Sequence, residues 1–272
     1  SHRPLEVEQM ISPQELRKVA KEKRLALDLV EKDYVLGWML YGIASGSLSK
    51  KLAFKGGSAL SKVYFPGQWR LSEDLDFTVL DDFEWDGVAQ ALKEEIPELV
   101  ETASGIPVVM RKKPFTNPQY LQGRLQYRGP VSMNTVKLEI SREMVVGEVV
   151  RRPVPQLFDY PRFSVTVYTL ENILAEKIRA LVERGKAKDY YDVWRLLKVK
   201  HFKGREIKNL VLKKCESKDV KFTGLTQIFP DNLPDVLKLH MKRGLTRLSA
   251  EPLPEIEMIV AELKADFGSL LD

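Results

Sequence analysis

Two acidic residues, Asp74 and Asp76, stand two positions apart in a segment that also contains the apolar residues Leu75 and Phe77. Because side chains alternate along a β-strand, this spacing places both carboxylates on one face of a strand and the apolar pair on the other. Two neighbouring carboxylates repel each other unless a cation neutralises them. Mg²⁺ or Mn²⁺ takes oxygen ligands and bridges to substrate phosphates, so the segment predicts a divalent metal site for phosphate chemistry.

A Gly-Gly-Ser segment precedes the acidic pair and follows a short apolar run, residues 52–54, which is predicted as a strand. Gly56 and Gly57 let the backbone approach a ligand closely, and a helix predicted to begin at Ser58 supplies unpaired N–H groups. The segment therefore predicts a triphosphate cradle in which Gly57 and Ser58 hold the β- and γ-phosphates, with Lys55 beside them. Each segment alone is common, whereas strand, glycine turn, helix and acidic strand in succession are specific.

Three further polar residues are candidates for the same site. Glu139 lies between apolar neighbours on a predicted strand, residues 135–141, and Lys137 shares its face. If that strand lies beside the acidic pair, Glu139 is a third metal ligand or a general base; otherwise it is a solvent-facing strand residue. Arg70 and Ser72 are predicted to brace the site or to contact phosphate.

The order of these residues resembles the nucleotidyltransferase superfamily of the DNA polymerase β type, and more closely the AbiEii/AbiGii toxin family. The family pattern has an apolar residue and Lys before Gly-Gly, then a small hydroxyl residue with Ala-Leu, and later Arg-x-Ser-x-Asp-hydrophobic-Asp. The resemblance continues with a Glu-Lys-hydrophobic helix and a Lys-Asp-x-x-Asp motif, and it covers roughly residues 30–200. The matching residues are Phe54, Lys55, Gly56, Gly57, Ser58, Ala59, Leu60, Arg70, Ser72, Asp74, Asp76, Glu176, Lys177, Ile178, Lys188, Asp189 and Asp192.

The motifs in the C-terminal half contain three charged candidates. Lys177 lies on an apolar stripe of a predicted helix and is expected to point into an interface, where it binds nucleotide phosphate; a snorkelling surface lysine is the alternative. The resemblance implies that Asp189 and Asp192 act in catalysis, in nucleotide binding or in orienting Lys177, whereas Asp189 as a simple helix N-cap is the alternative. The neighbouring Tyr190, Tyr191 and Trp194 are either core aromatics or a stacking platform for a base.

The elements around these motifs predict an α+β fold, a nucleotidyltransferase-like mixed sheet with flanking helices. Helical periodicity covers residues 12–45, with a break near 23–32, and another helix spans about residues 87–101. Strands are predicted at residues 52–54, 75–80, 106–111, 121–127, 135–141 and 163–168. After a proline-rich boundary, helices are predicted at residues 169–185, 190–198, 204–217 and 254–265. The predicted domains are residues 1–168, with the metal site, and residues 169–272, which close the cleft.

The composition excludes several classes of protein. A single cysteine, Cys215, precludes an intramolecular disulfide and favours a reducing cytoplasm, and no stretch is long and apolar enough for a membrane span. The N-terminal residues show no signal-peptide pattern. The formal net charge is +5, and residues 177–214 contain thirteen Lys or Arg against four Asp or Glu. This local excess suits either a solvated helical surface or a surface that faces phosphate.

The residues and the resemblance together predict a metal-dependent enzyme that transfers a nucleoside monophosphate from an NTP to an acceptor hydroxyl and releases pyrophosphate. The resemblance implies a toxin of a toxin–antitoxin or phage-defence system, with an antitoxin protein encoded nearby. The basic C-terminal half favours RNA, such as a tRNA 3′ end, as the acceptor. Two competing hypotheses stay open: a protein or small-molecule acceptor, and a catalytically silent nucleic-acid-binding module of the same fold.

Overall fold

The computed structural model describes residues 10–81 and 84–271. The chain forms two compact units. The first contains the residues up to Arg142 together with Arg151–Val167, and the second contains Glu143–Val150 together with the residues from Tyr168 onwards. The N-terminal segment for which the sequence shows no signal-peptide pattern, residues 1–9, lies outside the described residues.

The first unit begins with two helices, α1 (Pro13–Lys23) and α2 (Leu27–Ser45), which confirms the predicted break. Ser12 caps α1: its hydroxyl accepts from the Glu15 amide, and the Glu15 carboxylate accepts from the Ser12 amide in return. The second helix is buried on nearly all sides. Glu31 within it is fully buried, and the Glu31 carboxylate accepts hydrogen bonds from the amides of Val131 and Ser132 at 2.5 and 2.9 Å.

The sheet of the first unit is mixed, as predicted. Among the described residues eight strands form one sheet in the order β3-β5-β6-β2-β1-β8-β7, with β4 paired to β5. The strands are β1 (Leu52–Lys55), β2 (Asp74–Val79), β3 (Val108–Val109), β4 (Phe115–Asn117), β5 (Tyr120–Arg128), β6 (Met133–Ser141), β7 (Val149–Pro153) and β8 (Ser164–Tyr168). The central strand β2 runs antiparallel to β1 and parallel to β6. Neither β4 nor β7 was predicted, because both are short and bordered by proline.

The two faces of the sheet differ in polarity. One face carries the side chains of Leu75, Leu138 and Leu125, which are fully buried in the core. The opposite face carries the acidic pair and the polar residues of β5 and β6, because the period of two separates the two sets cleanly. The strand pattern therefore decides which side of the sheet holds the candidate site.

The remaining helices of the first unit follow β1 and β2. A short helix, α3 (Gly56–Ala59), continues as a π-helical turn, Leu60–Tyr64. After β2 come α4 (Trp85–Gln90), a second π-helical turn and α5 (Ile96–Ser104), which together correspond to the single helix predicted at 87–101.

The second unit is helical, as predicted. Its helices are α6 (Leu170–Glu183), α7 (Ala187–Val199), α8 (Gly204–Glu216), α9 (Leu225–Ile228), α10 (Leu233–His240) and α11 (Ile256–Leu270). Thr169 caps α6 by accepting from the Asn172 amide, as its sequence position predicted. The segment Glu143–Val150 lies on these helices because Asn172 and Lys214 donate to its backbone carbonyls. Among the described residues, no helix combines the length and the apolarity that a membrane crossing requires.

Candidate active site

The first glycine of the Gly-Gly-Ser turn lies against the acidic pair. Strand β1 ends at Lys55, which stands opposite Asp76 in the β1–β2 register. Gly56 follows with φ of 76°, a conformation that favours glycine. A Cβ atom at this position would lie 2.5 Å from Oδ2 of Asp76. The absence of a side chain therefore lets the backbone turn directly beside the Asp76 carboxylate.

The second glycine lies against Arg70 and Ser72. A Cβ atom on Gly57 would lie 2.9 Å from Nη2 of Arg70 and 3.5 Å from Oγ of Ser72. Arg70 is buried, and its Nη1 donates to the carbonyl oxygen of Leu71 at 3.1 Å. The structure thus brings the predicted turn together with both residues that the sequence placed upstream of the acidic pair.

The helical segment after the turn begins two residues earlier than predicted. It starts at Gly56 rather than Ser58, because the positive φ of Gly56 lets the chain leave β1 and enter helical geometry at once. Ser58 is fully buried, and its Oγ atom has no hydrogen-bond partner among the described residues. A buried hydroxyl without a partner is unfavourable, so Ser58 is suited to receive a hydrogen bond from, or donate one to, a bound ligand.

A buried ion pair fixes the helical segment to the core. Lys62, in the π-helical turn, places its Nζ atom 2.6 Å from Oδ1 of Asp33 in α2, and it also donates to the Asp33 carbonyl oxygen. Burial lowers the pKa of Lys62 from its ordinary value, and the charge of Asp33 only partly opposes this effect. The pair anchors the segment that carries Ser58, and neither residue was a candidate from the sequence.

The β2–β6 register places two more charged residues beside the acidic pair. Asp74 stands opposite Lys137 and Asp76 opposite Glu139, on the same face of the parallel strands. The Lys137 ammonium lies 2.8 Å from Oε1 of Glu139. Burial alone would lower the pKa of Lys137, but the hydrogen bond that its ammonium donates to Glu139 and the charges of Glu139, Asp74 and Asp76 outweigh burial, and the pKa is raised.

The pair Asp74 and Asp76 offers hard oxygen ligands for Mg²⁺ or Mn²⁺, and the backbone of the glycine turn lies directly beside the Asp76 carboxylate. No group of three or more His, Cys, Asp or Glu side chains within residues 10–81 and 84–271 is arranged to hold a metal ion. Glu139 lies beside Asp76 in the sheet, but its carboxylate forms an ion pair with Lys137. The residues present therefore fit a metal held by two carboxylates more closely than one held by three.

A second charge cluster lies within the helical unit. Nζ of Lys177 in α6 lies 3.0 Å from Oδ1 of Asp189 and 2.9 Å from Oδ2 of Asp192, both in α7. The two aspartates are 1% and 0% exposed. Arg184, which follows α6, donates through Nε and Nη2 to the two carboxylate oxygens of Asp189 at 3.0 and 3.2 Å.

The cluster determines the ionisation of Asp189. Burial would raise the pKa of Asp189, but the charges of Lys177 and Arg184 and their hydrogen bonds lower it to about 2. Asp189 is therefore a carboxylate at neutral pH. It is the third residue of α7, and Lys186 occupies the N-cap position, so an N-cap role for Asp189 is wrong.

The exposure of the side chains in α6 and α7 decides the roles of Lys177 and of the two tyrosines. The Lys177 side chain is only 12% exposed, so it is not a snorkelling surface lysine. Tyr190 and Tyr191 are buried at 1% and 2% exposure, and they are core aromatics rather than a stacking platform. Sequence reasoning missed Arg184, because its only signal was a position five residues before Asp189, which no helical spacing explains.

Comparisons with known proteins agree with the residue pattern. The profile of the family described as nucleotidyl transferase AbiEii toxin, type IV toxin–antitoxin system, matches residues 38–266. The comparison with curated proteins found no match.

Solved structures with a similar fold include MenT4, a nucleotidyltransferase toxin from Mycobacterium tuberculosis, at 16% identity and a TM-score of 0.73, covering 96% of this chain and 90% of that one. A Helicobacter pylori protein provisionally assigned as a nucleotidyltransferase aligns at 18% identity and a TM-score of 0.56, covering 91% and 96% of the two chains. JHP933, also from Helicobacter pylori, aligns at 19% identity and a TM-score of 0.50, covering 90% and 97%. At these identities the likeness concerns the fold.

Proposed function

This chain belongs to the AbiEii family of nucleotidyltransferase toxins from type IV toxin–antitoxin systems, and we propose that it transfers a nucleoside monophosphate from an NTP to an acceptor hydroxyl, with Asp74 and Asp76 as the ligands of Mg²⁺ or Mn²⁺. The observation that carries the proposal is the turn at Gly56, which has no room for a Cβ atom because the Asp76 carboxylate lies there. A glycine turn and an acidic strand packed this closely suit one site for a triphosphate and its metal ion.

The proposed roles of the residues around the turn follow from their positions. Gly57 and Ser58 hold the β- and γ-phosphates, for which the buried Ser58 hydroxyl supplies an unused hydrogen-bonding group. Lys55, opposite Asp76, supplies positive charge to the nucleotide, and Arg70 and Ser72, against Gly57, contact or brace the same phosphates. When bound, the metal neutralises charge on the phosphates and on the leaving pyrophosphate.

Glu139 is proposed as the group that accepts the proton of the acceptor hydroxyl. Its carboxylate lies next to Asp76 in the sheet and is 39% exposed, so it remains accessible to a substrate. Lys137 holds it in place through the 2.8 Å ion pair. A direct role as a third metal ligand would require Glu139 to leave Lys137.

In the helical unit, Lys177 and Asp192 are proposed to contribute to nucleotide binding and Asp189 to catalysis. This proposal is supported by the geometry, in which the two buried aspartates hold the Lys177 ammonium in one position and Arg184 fixes the carboxylate of Asp189. A lysine fixed by two carboxylates is a preorganised donor, and a preorganised donor is what binding of a phosphate or ribose group requires.

RNA, such as a tRNA 3′ end, is the proposed acceptor, because the chain carries a net charge of +5. As a family member the protein is proposed to have a cognate antitoxin encoded nearby, and an NTP-consuming enzyme is proposed to act in the cytoplasm. A protein or small-molecule acceptor is the competing outcome of the test below.

The test is a transfer assay with Mg²⁺, each α-labelled NTP in turn and total bacterial RNA. Wild type is expected to label RNA with one nucleotide, and Asp76→Asn is expected to lower labelling at least a hundredfold with an unchanged circular dichroism spectrum. Asp86→Asn, an exposed aspartate in α4, is the matched control and should retain wild-type activity. Full activity of Asp76→Asn would refute the assignment of the metal site. Pyrophosphate release without RNA labelling would instead indicate a protein or small-molecule acceptor.

A further inference from the structure

One strand of the sheet carries an exposed polar and aromatic face that the proposed chemistry does not use. Along β5, the side chains of Leu121, Leu125 and Tyr127 point into the core, and the alternate residues point the other way. The outward residues are Tyr120, Gln122, Arg124, Gln126 and Arg128. Phe115 of β4 and Arg111 lie on the same side, because Phe115 pairs with Gln122 and Arg111 donates to Gln126. We call Phe115, Tyr120, Arg111, Arg124 and Arg128 the β5 face.

The β5 face is continuous with the acidic pair through the strand register. Arg124 stands opposite Lys137 of β6, and Lys137 stands opposite Asp74 of β2. Arg124 and Asp74 are therefore separated by two inter-strand spacings, roughly 10 Å. An extended polymer that lies along the β5 face can reach the proposed metal site by crossing only β6.

The arginines of this face are available to a ligand. Arg124 and Arg128 are exposed, and neither forms an ion pair with any described residue. Arg111 is exposed too, and it donates to the neutral side chain of Gln126. The outward positions of β5 contain no acidic residue.

The basic residues of the helical unit are in a different situation. At least six of the thirteen cations between residues 177 and 214 form ion pairs within that unit: Lys177, Arg179, Arg184, Lys198, Lys200 and Lys203. The Lys214 ammonium is buried against backbone carbonyls. Arg179, Lys198 and Lys200 pair with acids outside residues 177–214, so these contacts reduce the local excess of positive charge by three.

The β5 face also presents an aromatic surface. Phe115 is 57% exposed, although a phenylalanine in a strand usually faces the core. Its ring lies 5.6 Å from the ring of Tyr120, at an interplanar angle of 40°. Exposed aromatic rings beside arginines form the platforms on which bases of single-stranded nucleic acids stack, while the arginines hold the phosphates.

We propose that the β5 face binds single-stranded nucleic acid, with a base stacked on Phe115 and phosphates on Arg111 and Arg124, and delivers it to the acidic pair. This inference rests on the proposed transferase function and specifies its acceptor as a flexible nucleic-acid strand. A duplex does not present unstacked bases to Phe115, and an acidic peptide does not use the stacking surface.

The inference is tested by fluorescence anisotropy, with the full-length protein titrated into labelled oligouridylate, oligothymidylate and an RNA duplex, without NTP. Arg111→Glu/Arg124→Glu is expected to weaken single-strand binding at least tenfold and to lower the slope of log affinity against log salt by about 1.4, since each phosphate contact on a single strand contributes about 0.7. Phe115→Ala should weaken binding about tenfold, and Phe115→Tyr should restore it, because stacking depends on the ring.

The matched control reverses two exposed cations of α8 in Arg205→Glu/Lys213→Glu, and it should bind like wild type. Three results would overturn the inference: a greater loss in the α8 control than in the β5 variant, unchanged affinity on Phe115→Ala, or equal affinity for duplex and single strand. Comparison of the two oligonucleotides shows whether the face separates RNA from DNA.

Failure of the inference is distinguishable from failure of the proposed function. If no oligonucleotide binds but the protein still releases pyrophosphate with another acceptor, the β5 face is not a nucleic-acid site and the transferase assignment stands. If the oligonucleotides bind as expected but no NTP is consumed, the β5 face is a nucleic-acid site and the proposed transferase function fails.

Discussion

Replacement of Lys177 by methionine tests the charge cluster of the helical unit. Lys177→Met keeps much of the side-chain volume but leaves Asp189 and Asp192, which are 1% and 0% exposed, without their shared ammonium. Removing one partner of a buried ion pair costs roughly 3–5 kcal/mol. Arg184 still neutralises Asp189, and the Lys177 side chain is 12% exposed, so we expect the lower end, about 3 kcal/mol.

The assay is thermal unfolding followed by circular dichroism, together with hydrogen exchange of peptides from α6 and α7. A loss of about 3 kcal/mol in a unit of little more than a hundred residues lowers the melting temperature by roughly 12 °C. Amides of α6 and α7 should exchange faster while those of the sheet do not. The control is Lys200→Met, whose partner Glu171 is 36% exposed; such a surface pair is worth at most about 1 kcal/mol.

A melting temperature of Lys177→Met within about 2 °C of the control would refute the reasoning. The triple variant Lys177→Met/Asp189→Asn/Asp192→Asn should recover part of the lost stability, because it removes the uncompensated charges along with the lysine. Loss of activity in Lys177→Met therefore has two sources, and only activity normalised to the folded fraction reports on nucleotide binding.

Four further results are expected. Gly56→Ala should abolish transfer, because its Cβ would displace the Asp76 carboxylate. Gly67 has a similar φ of 73°, but a Cβ atom there would meet no other atom within 4 Å. Gly67→Ala should therefore lose comparable stability and keep its activity in the same transfer assay. Because its pKa is lowered, Asp189 should add roughly 2 kcal/mol to the free energy of unfolding above pH 4. This contribution is lost as the pH falls from about 4 to 2. In acid denaturation, the free energy of unfolding of Asp189→Asn should therefore fall less steeply over that window than that of the wild type. Glu31→Leu should lower the free energy of unfolding, measured by urea denaturation, by about 2 kcal/mol, because the N–H groups of Val131 and Ser132, which both donate to Oε1, lose their acceptor. Glu139→Gln should leave the affinity for Mn²⁺, measured by calorimetry, within about threefold of wild type, because Glu139 is paired with Lys137. Loss of a direct metal ligand typically costs far more affinity. A loss of affinity of about tenfold or more would make Glu139 a metal ligand.

Local patterns in the sequence predicted most of the elements that carry the site. The capping pair of Ser12 and Glu15, the break between α1 and α2, and Thr169 at the start of α6 all follow from interactions over a few residues. The period of two placed Asp74 and Asp76 on one face. Strands β4 and β7 and helix α10 escaped prediction because their patterns are short or interrupted by proline.

The sequence by itself determined the order of the motifs, the alternation of the strands and the family pattern, because each depends on residue types at close spacing. Only the tertiary structure decided the partners of the charges. Lys137 stands opposite Asp74 and Glu139 opposite Asp76, and Lys177 is shared by two aspartates, one of which also binds Arg184. These contacts depend on the register of β2 against β6, more than sixty residues apart, and on the packing of α6 against α7. No local spacing encodes such contacts, because register and packing are set by the whole buried core at once.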